Sequence, residues 1–379
     1  MLDPSKPRPE IKALTSLRGL AAFAVVLQHF SATAQLNASG WIPSIVPHGY
    51  VAVDFFFVLS GFIMCYTYLS GFETLGMKAY GPFLWKRVAR IVPLGIAVTA
   101  LVVLCGSLAS LAGLSWLFFS SDVRGGLAAL IVVNALHLQG FLPQYSLNDP
   151  SWSVSVELAA YLLFPVLIAL NFQLKPWVTV LYTAAGIGVM LVLSAFGSGG
   201  GLEYRWVPLD LARCIVEFGF GMLVYRAYAA RSWLCAVGDD RWTWTIAGLG
   251  VAALLARIDL LAAAVFPFLV LAFALNRGGP NRVLTHRWLH FLGVISFSIY
   301  LVHNMFREPE VWLARQLHPA ALPPWLALSF AAIGSLSVLP FAALAYYAVE
   351  RPGRDALNRA VKRLNLRVLV SGGAPRPAD

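Results

Sequence analysis

The sequence predicts an all-α polytopic membrane protein, a bundle of about ten transmembrane helices with one further re-entrant or outer-surface segment near 125–141. Three observations carry this expectation. Hydrophobic residues make up 59% of the 379 and charged residues 12%, with a mean hydropathy of +0.72, a balance that no water-soluble domain of this length needs. Apolar stretches of about 18 residues or more recur along nearly the whole chain, so the hydrophobic material is spread over many spans. Basic residues gather in separated clusters between those stretches.

Taken in chain order, windows of about 20 apolar residues place candidate spans near 13–35, 50–70, 83–108, 125–141, 152–171, 177–196, 208–228, 242–256, 259–276, 289–306 and 323–349. The first ends in Ala32-Thr33-Ala34, a small-residue pattern like that of a cleaved leader. It is expected to stay uncut, because cutting there would discard Arg18 and His29, two of the few polar residues in the spans. Basic clusters lie at Lys6–Lys12, Lys78–Arg90, Arg226–Arg241, Arg277–Arg287 and Arg351–Arg367. All should face the cytosol, as loops rich in Lys and Arg do. Both termini are then cytosolic, crossings must be even, and one candidate drops out. The weakest is 125–141, which holds Asn134, His137 and Gln139. The helix that follows opens on Asp149-Pro150, an acidic cap with proline at the first helical position, and should start on the outer side.

The net charge of +10 follows from the same rule and gives no reason to expect nucleic acid. The cysteines, Cys65, Cys105, Cys214 and Cys235, have no metal-ligand spacing, and no metal is expected. No linker marks a second domain: the expectation is one membrane domain over 1–352 and a basic cytosolic tail over 353–379.

An ionisable group inside a bilayer costs about 3 kcal/mol or more unless it is paired or lines a cavity, so such groups point to function. Arg18 and His29 are eleven residues apart in the first span, which returns to nearly the same helix face about 16 Å further along. Both can line one tunnel. The alternatives are a snorkelling anchor for Arg18 and a hydrogen-bonded core histidine for His29. Asp54 opens the aromatic segment Asp54-Phe55-Phe56-Phe57-Val58-Leu59-Ser60-Gly61-Phe62 at the level of His29, and is expected to orient that imidazole or to cap its own helix. Trp85-Lys86-Arg87-Val88-Ala89-Arg90 puts Arg87 and Arg90 on one helical face. That fork suits a nucleotide phosphate, or serves as ordinary anchoring. Ser153, Glu157 and Tyr161 share a face of the span that starts at Trp152, and Ser296, Tyr300 and His303 share another. Acyl transfer to a hydroxyl needs a base, donors for the developing oxyanion and a positive site for the donor's phosphates, and these residues supply each. No Gly-x-Ser-x-Gly elbow, His-Glu-x-x-His pair or Walker loop occurs.

Together these segments resemble the acyltransferase 3 family of bacterial membrane O-acyltransferases, which includes exopolysaccharide, O-antigen and Nod-factor acetyltransferases. The resemblance covers nearly the whole chain: Arg18 and His29 with ten residues between, the Asp54–Phe62 segment, Arg87-x-x-Arg90, Trp152-Ser153-x-x-x-Glu157, and Ser296 to Tyr300. It implies a ten-helix bundle in the bacterial inner membrane, with acyl-CoA, most simply acetyl-CoA, as donor substrate and no tightly bound cofactor. Arg18 and His29 fall on the family's essential pair, and Arg87 and Arg90, with Trp85 beside them, on its CoA-binding element. Some members carry a further extracytoplasmic domain. The residues after Glu350-Arg351-Pro352 are too few for one, so transfer is expected within the bundle or through a partner. The expected acceptor is a hydroxyl of an extracytoplasmic glycan or glycolipid. His29 would act as base or as an acylated intermediate, Asp54 or Glu157 would tune it, and Tyr300 or Ser296 would donate to the oxyanion. Expected partners are the bilayer and polysaccharide assembly proteins or a second copy of the chain. The rival readings are a lipid or small-molecule acceptor, and a transporter or flippase without transfer chemistry.

Overall fold

The computed structural model describes residues 8–33, 46, 48–113, 126–173, 176–196, 202, 207–231, 233–317 and 323–371. Among these no residue is in a β-strand. The helices are α1 (Lys12–Thr33), α2 (Ala52–Leu75), α3 (Tyr80–Leu111), α4 (Leu127–Ala135), α5 (Trp152–Leu162), α6 (Phe164–Ile168), α7 (Pro176–Phe196), α8 (Val207–Ala230), α9 (Asp240–Leu255), α10 (Asp259–Leu275), α11 (Gly279–Leu284), α12 (Arg287–Val294), α13 (Ser296–Leu317), α14 (Pro324–Ala345) and α15 (Arg351–Ser371). A π-helical turn at Ala169–Gln173 follows α6, and another at Tyr346–Glu350 joins α14 to α15.

Every apolar window read from the sequence contains helix, but helices and membrane crossings are not the same count. Four stretches among the described residues are long and apolar enough to cross a bilayer, Lys12–Ser31, Gly49–Leu111, Trp177–Phe196 and Leu328–Val361, or six if each of two bent pairs is one span. The expected count of about ten is not reached on that measure, for reasons visible in the residues. Gly49–Leu111 holds both α2 and α3, parted at Gly76 with φ 55°. The α8 helix carries Asp210, Arg213, Glu217 and Arg226. The α9 and α10 helices have 16 and 17 residues, about 25 Å of helix against a hydrocarbon layer of about 30 Å. The demoted segment is shorter still. Within 125–141, α4 has nine residues, about 13 Å. Asn134 ties the turns after it back, donating to Tyr145 O at 2.7 Å and accepting from Leu147 N at 3.0 Å.

Two helix pairs are broken spans. The α5 and α6 helices meet at 63°, and α12 and α13 meet at 68°. At the first break Pro165 has no N–H to continue the ladder to Tyr161. Glycines set the closest crossings. A Cβ on Gly61 of α2 would collide with Phe218 O of α8, and one on Gly221 of α8 with Val58 O of α2. A Cβ on Gly19 of α1 would collide with Gly293 of α12, and one on Gly293 with Thr15 O. Small residues let backbones approach where lipid gives helices no hydrophobic reason to associate.

The basic clusters lie at one end of the bundle. Arg8 sits over the rings of Tyr66 and Tyr225 at 5.3 and 5.8 Å, and Tyr66 donates to Pro9 O at 3.0 Å. Glu10 meets His290 at 3.0 Å, and Asn276 donates to Gly238 O and to Asp240, each at 2.8 Å. The Gly279 N–H and the Asn276 amide hold the Asp240 carboxyl below its usual range. Trp85 donates to Leu357 O at 3.3 Å, fixing α15 to α3. Residues 353–371 are thus helical, joined to α3 at Leu357 and at Gly353, which lies so near Pro93 that a Cβ would sit 2.5 Å from that ring. At the opposite end Asp259 holds His48 Nδ1 at 2.8 Å, the Tyr50 hydroxyl, and Leu202 N at 3.1 Å.

Candidate active site

Both broken spans face a common interior. A cavity of about 120 Å³ lies between α1, α2, α3, α5 and α13, and its wall includes Arg18, Ser60, Arg87, Arg90, Glu157, Tyr161, Ser296 and Tyr300. Eight of the side chains singled out from the sequence therefore converge: Arg18, Arg87, Arg90, Ser153, Glu157, Tyr161, Ser296 and Tyr300. Three guanidinium groups face one carboxylate, so the chamber attracts anions.

Arg18 owes its position to the 68° bend. A helix that stops leaves its last carbonyls without ladder partners, and Gly293 O lies in the last turn of α12. The Gly19–Gly293 approach brings α1 alongside. Arg18 Nη2 donates to Gly293 O at 2.9 Å, and Arg18 Nε donates to Ser296 Oγ at 2.8 Å, a cation capping a helix C-terminus. Its head is held in the cavity wall and does not snorkel away. Since Ser296 accepts from Arg18, its own hydroxyl hydrogen remains to donate. Tyr300 differs. Its hydroxyl donates to Pro150 O at 2.8 Å and lies 2.7 Å from Ser153 Oγ, and a carbonyl can only accept, so the Tyr300 hydrogen is committed.

Glu157 accepts from Ser60 and, at 2.5 Å, from Tyr161. This gives the serine of the Asp54–Phe62 segment a task that the sequence did not reveal. Arg87 donates to the Tyr68 hydroxyl at 2.5 Å and lies over the rings of Tyr68 and Tyr161 at 5.0 and 6.0 Å. Its Nε is buried without a hydrogen-bond partner.

Arg87 and Arg90 also line a second, larger cavity of about 500 Å³, with Tyr68, Trp85, Lys86, Arg354 and Asn358. The two arginines are the common wall between an outer basic basin and the inner chamber. Trp85 belongs to the basin.

His29 lies beyond Tyr300 and outside the chamber wall. Its ring is 5.2 Å from that of His303. His303 Nδ1 is 2.7 Å from Tyr300 O; the carbonyl accepts, so Nδ1 carries the proton and Nε2 is left as an acceptor. That Nε2 is buried with no hydrogen-bond partner. Helices α1 and α13 thus run side by side with two rungs, Arg18 to Ser296 and His29 to His303.

The expected pairing of Asp54 with His29 is corrected by the structure. Arg213 Nε donates to Asp54 Oδ1 at 2.6 Å, Nη2 donates to Oδ2, and Nη1 donates to Leu202 O at 2.6 Å. Both side chains are buried, at 2% and 0% exposure. Asp54 therefore clamps α2 to α8. Glu217, one turn further along α8, is buried with both oxygens lacking hydrogen-bond partners. Sequence reasoning passed over Arg213 and Glu217, although ionisable residues within one apolar span were signal enough. Among the described residues no cluster of three or more His, Cys, Asp or Glu side chains could hold a metal ion.

Comparison with known proteins bears on this arrangement. Residues 11–347 match the acyltransferase 3 family model, described as an acyltransferase domain. The chain is 29% identical to the acyltransferase MdmB of Streptomyces mycarofaciens, over 92% of this chain and 93% of that protein. It is 26% identical to a Komagataeibacter xylinus protein provisionally named a membrane-bound transacylase, BcsY, over 93% of this chain and 86% of the relative. A Staphylococcus aureus protein provisionally named an O-acetyltransferase is 22% identical over 77% of this chain and 50% of its own length. No solved structure matches.

Proposed function

The chain belongs to the acyltransferase 3 family, and from that premise we propose that it moves an acetyl group from cytosolic acetyl-CoA to a hydroxyl of an extracytoplasmic or lipid-linked glycan such as an exopolysaccharide. The observation that carries this reading is the adjacency of the basic basin and the chamber of Arg18, Glu157 and Ser296, which share Arg87 and Arg90 in their walls, with His29 further along α1. The relatives' names, an O-acetyltransferase and a membrane-bound transacylase, favour the same chemistry.

The basic end is the cytosolic one by the positive-inside rule. Crossings are α1, α2, α3, the α5–α6 pair, α7, α8, α9, α10, the α12–α13 pair and α14, an even number that leaves both termini inside, with α4 packed toward the outer end. CoA phosphates rest on Arg87 and Arg90 beside Trp85, and the neutral pantetheine arm carries the thioester past Arg18. His29 takes the proton of the acceptor hydroxyl. The freed oxygen attacks the thioester carbonyl and the C–S bond breaks, while Ser296, held by Arg18 one rung nearer the basin, borders the path of the pantetheine arm. The thiolate takes up the proton that His29 removed from the hydroxyl, which restores the imidazole, and leaves on the cytosolic side as CoA. Glu157, held by Ser60 and Tyr161, balances the arginines.

Purified protein in liposomes loaded with radiolabelled acetyl-CoA, with glycan outside, tests the reading. Label should appear on the external acceptor, and His29→Ala should lower the rate by about 10²- to 10⁴-fold while the protein stays folded. A folded His29→Ala variant with full transfer activity would overturn the mechanism. Glycan movement without CoA release would instead mark a carrier. Mass spectrometry of the surface glycan from a deletion strain would identify the acceptor by the acetyl increments it lacks.

A further inference from the structure

We propose that the C-terminal helix α15 completes the polyphosphate-binding basin, with Arg354 and Asn358 as direct ligands of the donor's phosphate groups. These residues lie beyond the segment 11–347 that matches the family. The inference rests on acyl-CoA being the donor.

Arg354, Asn358 and Val361 follow one another at i, i+4 and i+7 and so share one face of α15. That face closes the 500 Å³ basin opposite Lys86, Arg87 and Arg90. A concavity of this size is in the range of small-molecule sites. Cationic heads from two helices converge on it, and no Asp or Glu lines it. Like charges gathered round a concave surface repel one another unless an anion lies between them, and planar guanidinium forks match phosphate oxygens. Asp355 is 3.6 Å from Arg354 Nε, but its side chain is 47% exposed, and an exposed pair of this kind is weak.

The helix is fastened at this place. Leu357 O accepts from Trp85, and Gly353 lies against Pro93. Both contacts bracket Arg354, so its position is fixed by packing on α3. Lys86 and Arg87 both lie over the Tyr68 ring, at 5.4 and 5.0 Å, which keeps them turned toward the basin. A ligand with a polyanionic head and a thin neutral arm fits a wide basic basin that shares a wall with a 120 Å³ chamber.

The test uses the full chain in nanodiscs of neutral lipid, with CoA as titrant in calorimetry and acetyl-CoA in assays. Arg354→Ala should weaken CoA binding and raise the KM for acetyl-CoA by about tenfold or more, the scale of a lost charge-assisted hydrogen bond. Asn358→Ala should weaken both by less, and Arg354→Lys should recover part of the loss. Arg359→Ala, an exposed charge change on the same helix, should bind CoA like the wild type. Melting curves that match the wild type show that the variants are folded.

If Arg87→Ala lost CoA binding while Arg354→Ala and Asn358→Ala bound it normally, the inference would be wrong and the donor reading would stand. If Arg359→Ala weakened binding as much as Arg354→Ala, general charge would explain the effect and the inference would also fall. A wild-type protein that bound no CoA would sink the donor reading itself. In nanodiscs of anionic lipid, Arg354→Ala that altered lipid retention and left CoA affinity unchanged would assign the residue to headgroups and reject the proposal.

Discussion

Arg18 is an arginine within a span, where charge is costly, and two bonds offset that cost: one to the carbonyl of Gly293 at a helix break and one to Ser296. The Asp54–Arg213 pair meets the same demand by mutual bonding. Removing one partner leaves the other charge buried alone, so Asp54→Ala or Arg213→Ala should each cost about 3–5 kcal/mol, and the double variant less than the sum. Thermal melts of the singles and the double in one lipid would show it; additive losses would mean the pair is no clamp. At this scale the sequence was informative about which polar residues share a helix face and poor about whom they touch. Helical spacing put Arg18 and His29 on one face, and Ser296, Tyr300 and His303 on another, but the partner of Asp54 is 159 residues away. Periodicity gives faces and carries no information on pairings across the bundle. Tyr300 shows a further limit, because its hydrogen goes to Pro150 O, 150 residues away in the chain.

Among elements, the α2–α8 crossing depends on Gly61 and Gly221, whose missing side chains are filled by the opposing backbone. Gly61→Val should push α8 away, costing about 1–3 kcal/mol as overpacking does. It should also weaken the hold of Ser60 on Glu157, lowering transfer activity more than the melting temperature alone explains. Unchanged activity at matched stability would separate the crossing from the site. Helix positions were legible because hydropathy registers them directly, and the demotion of 125–141 followed from its polar residues. The breaks were not legible. A 68° bend after Val294 leaves hydropathy nearly untouched, because both halves remain apolar enough to pass as one span. The charged α8 was read as an ordinary span, because a window average cannot register that its Arg213 is paired with an aspartate of another helix. The tail from residue 353 was read only as a basic cytosolic piece, since its contact with α3 rests on one glycine and a backbone carbonyl.

For the whole molecule, the gathered basic end and the opposite end held by Asp259 fix a polarity along the bundle normal. The partition made by Arg87 and Arg90 has an electrical consequence under the proposed reaction. The nucleotide, with all its negative charge, stays on its own side of those arginines. Only an acyl carbon passes outward, as an acylium equivalent, while one proton is returned inward to the thiolate. The exchange is electroneutral, so a membrane voltage, worth about 2.3 kcal/mol per charge per 100 mV, does no work on it. Collapsing the potential with a potassium ionophore should leave the initial rate of external acetylation unchanged. A rate that followed the voltage would mean that net charge crosses with the acyl group.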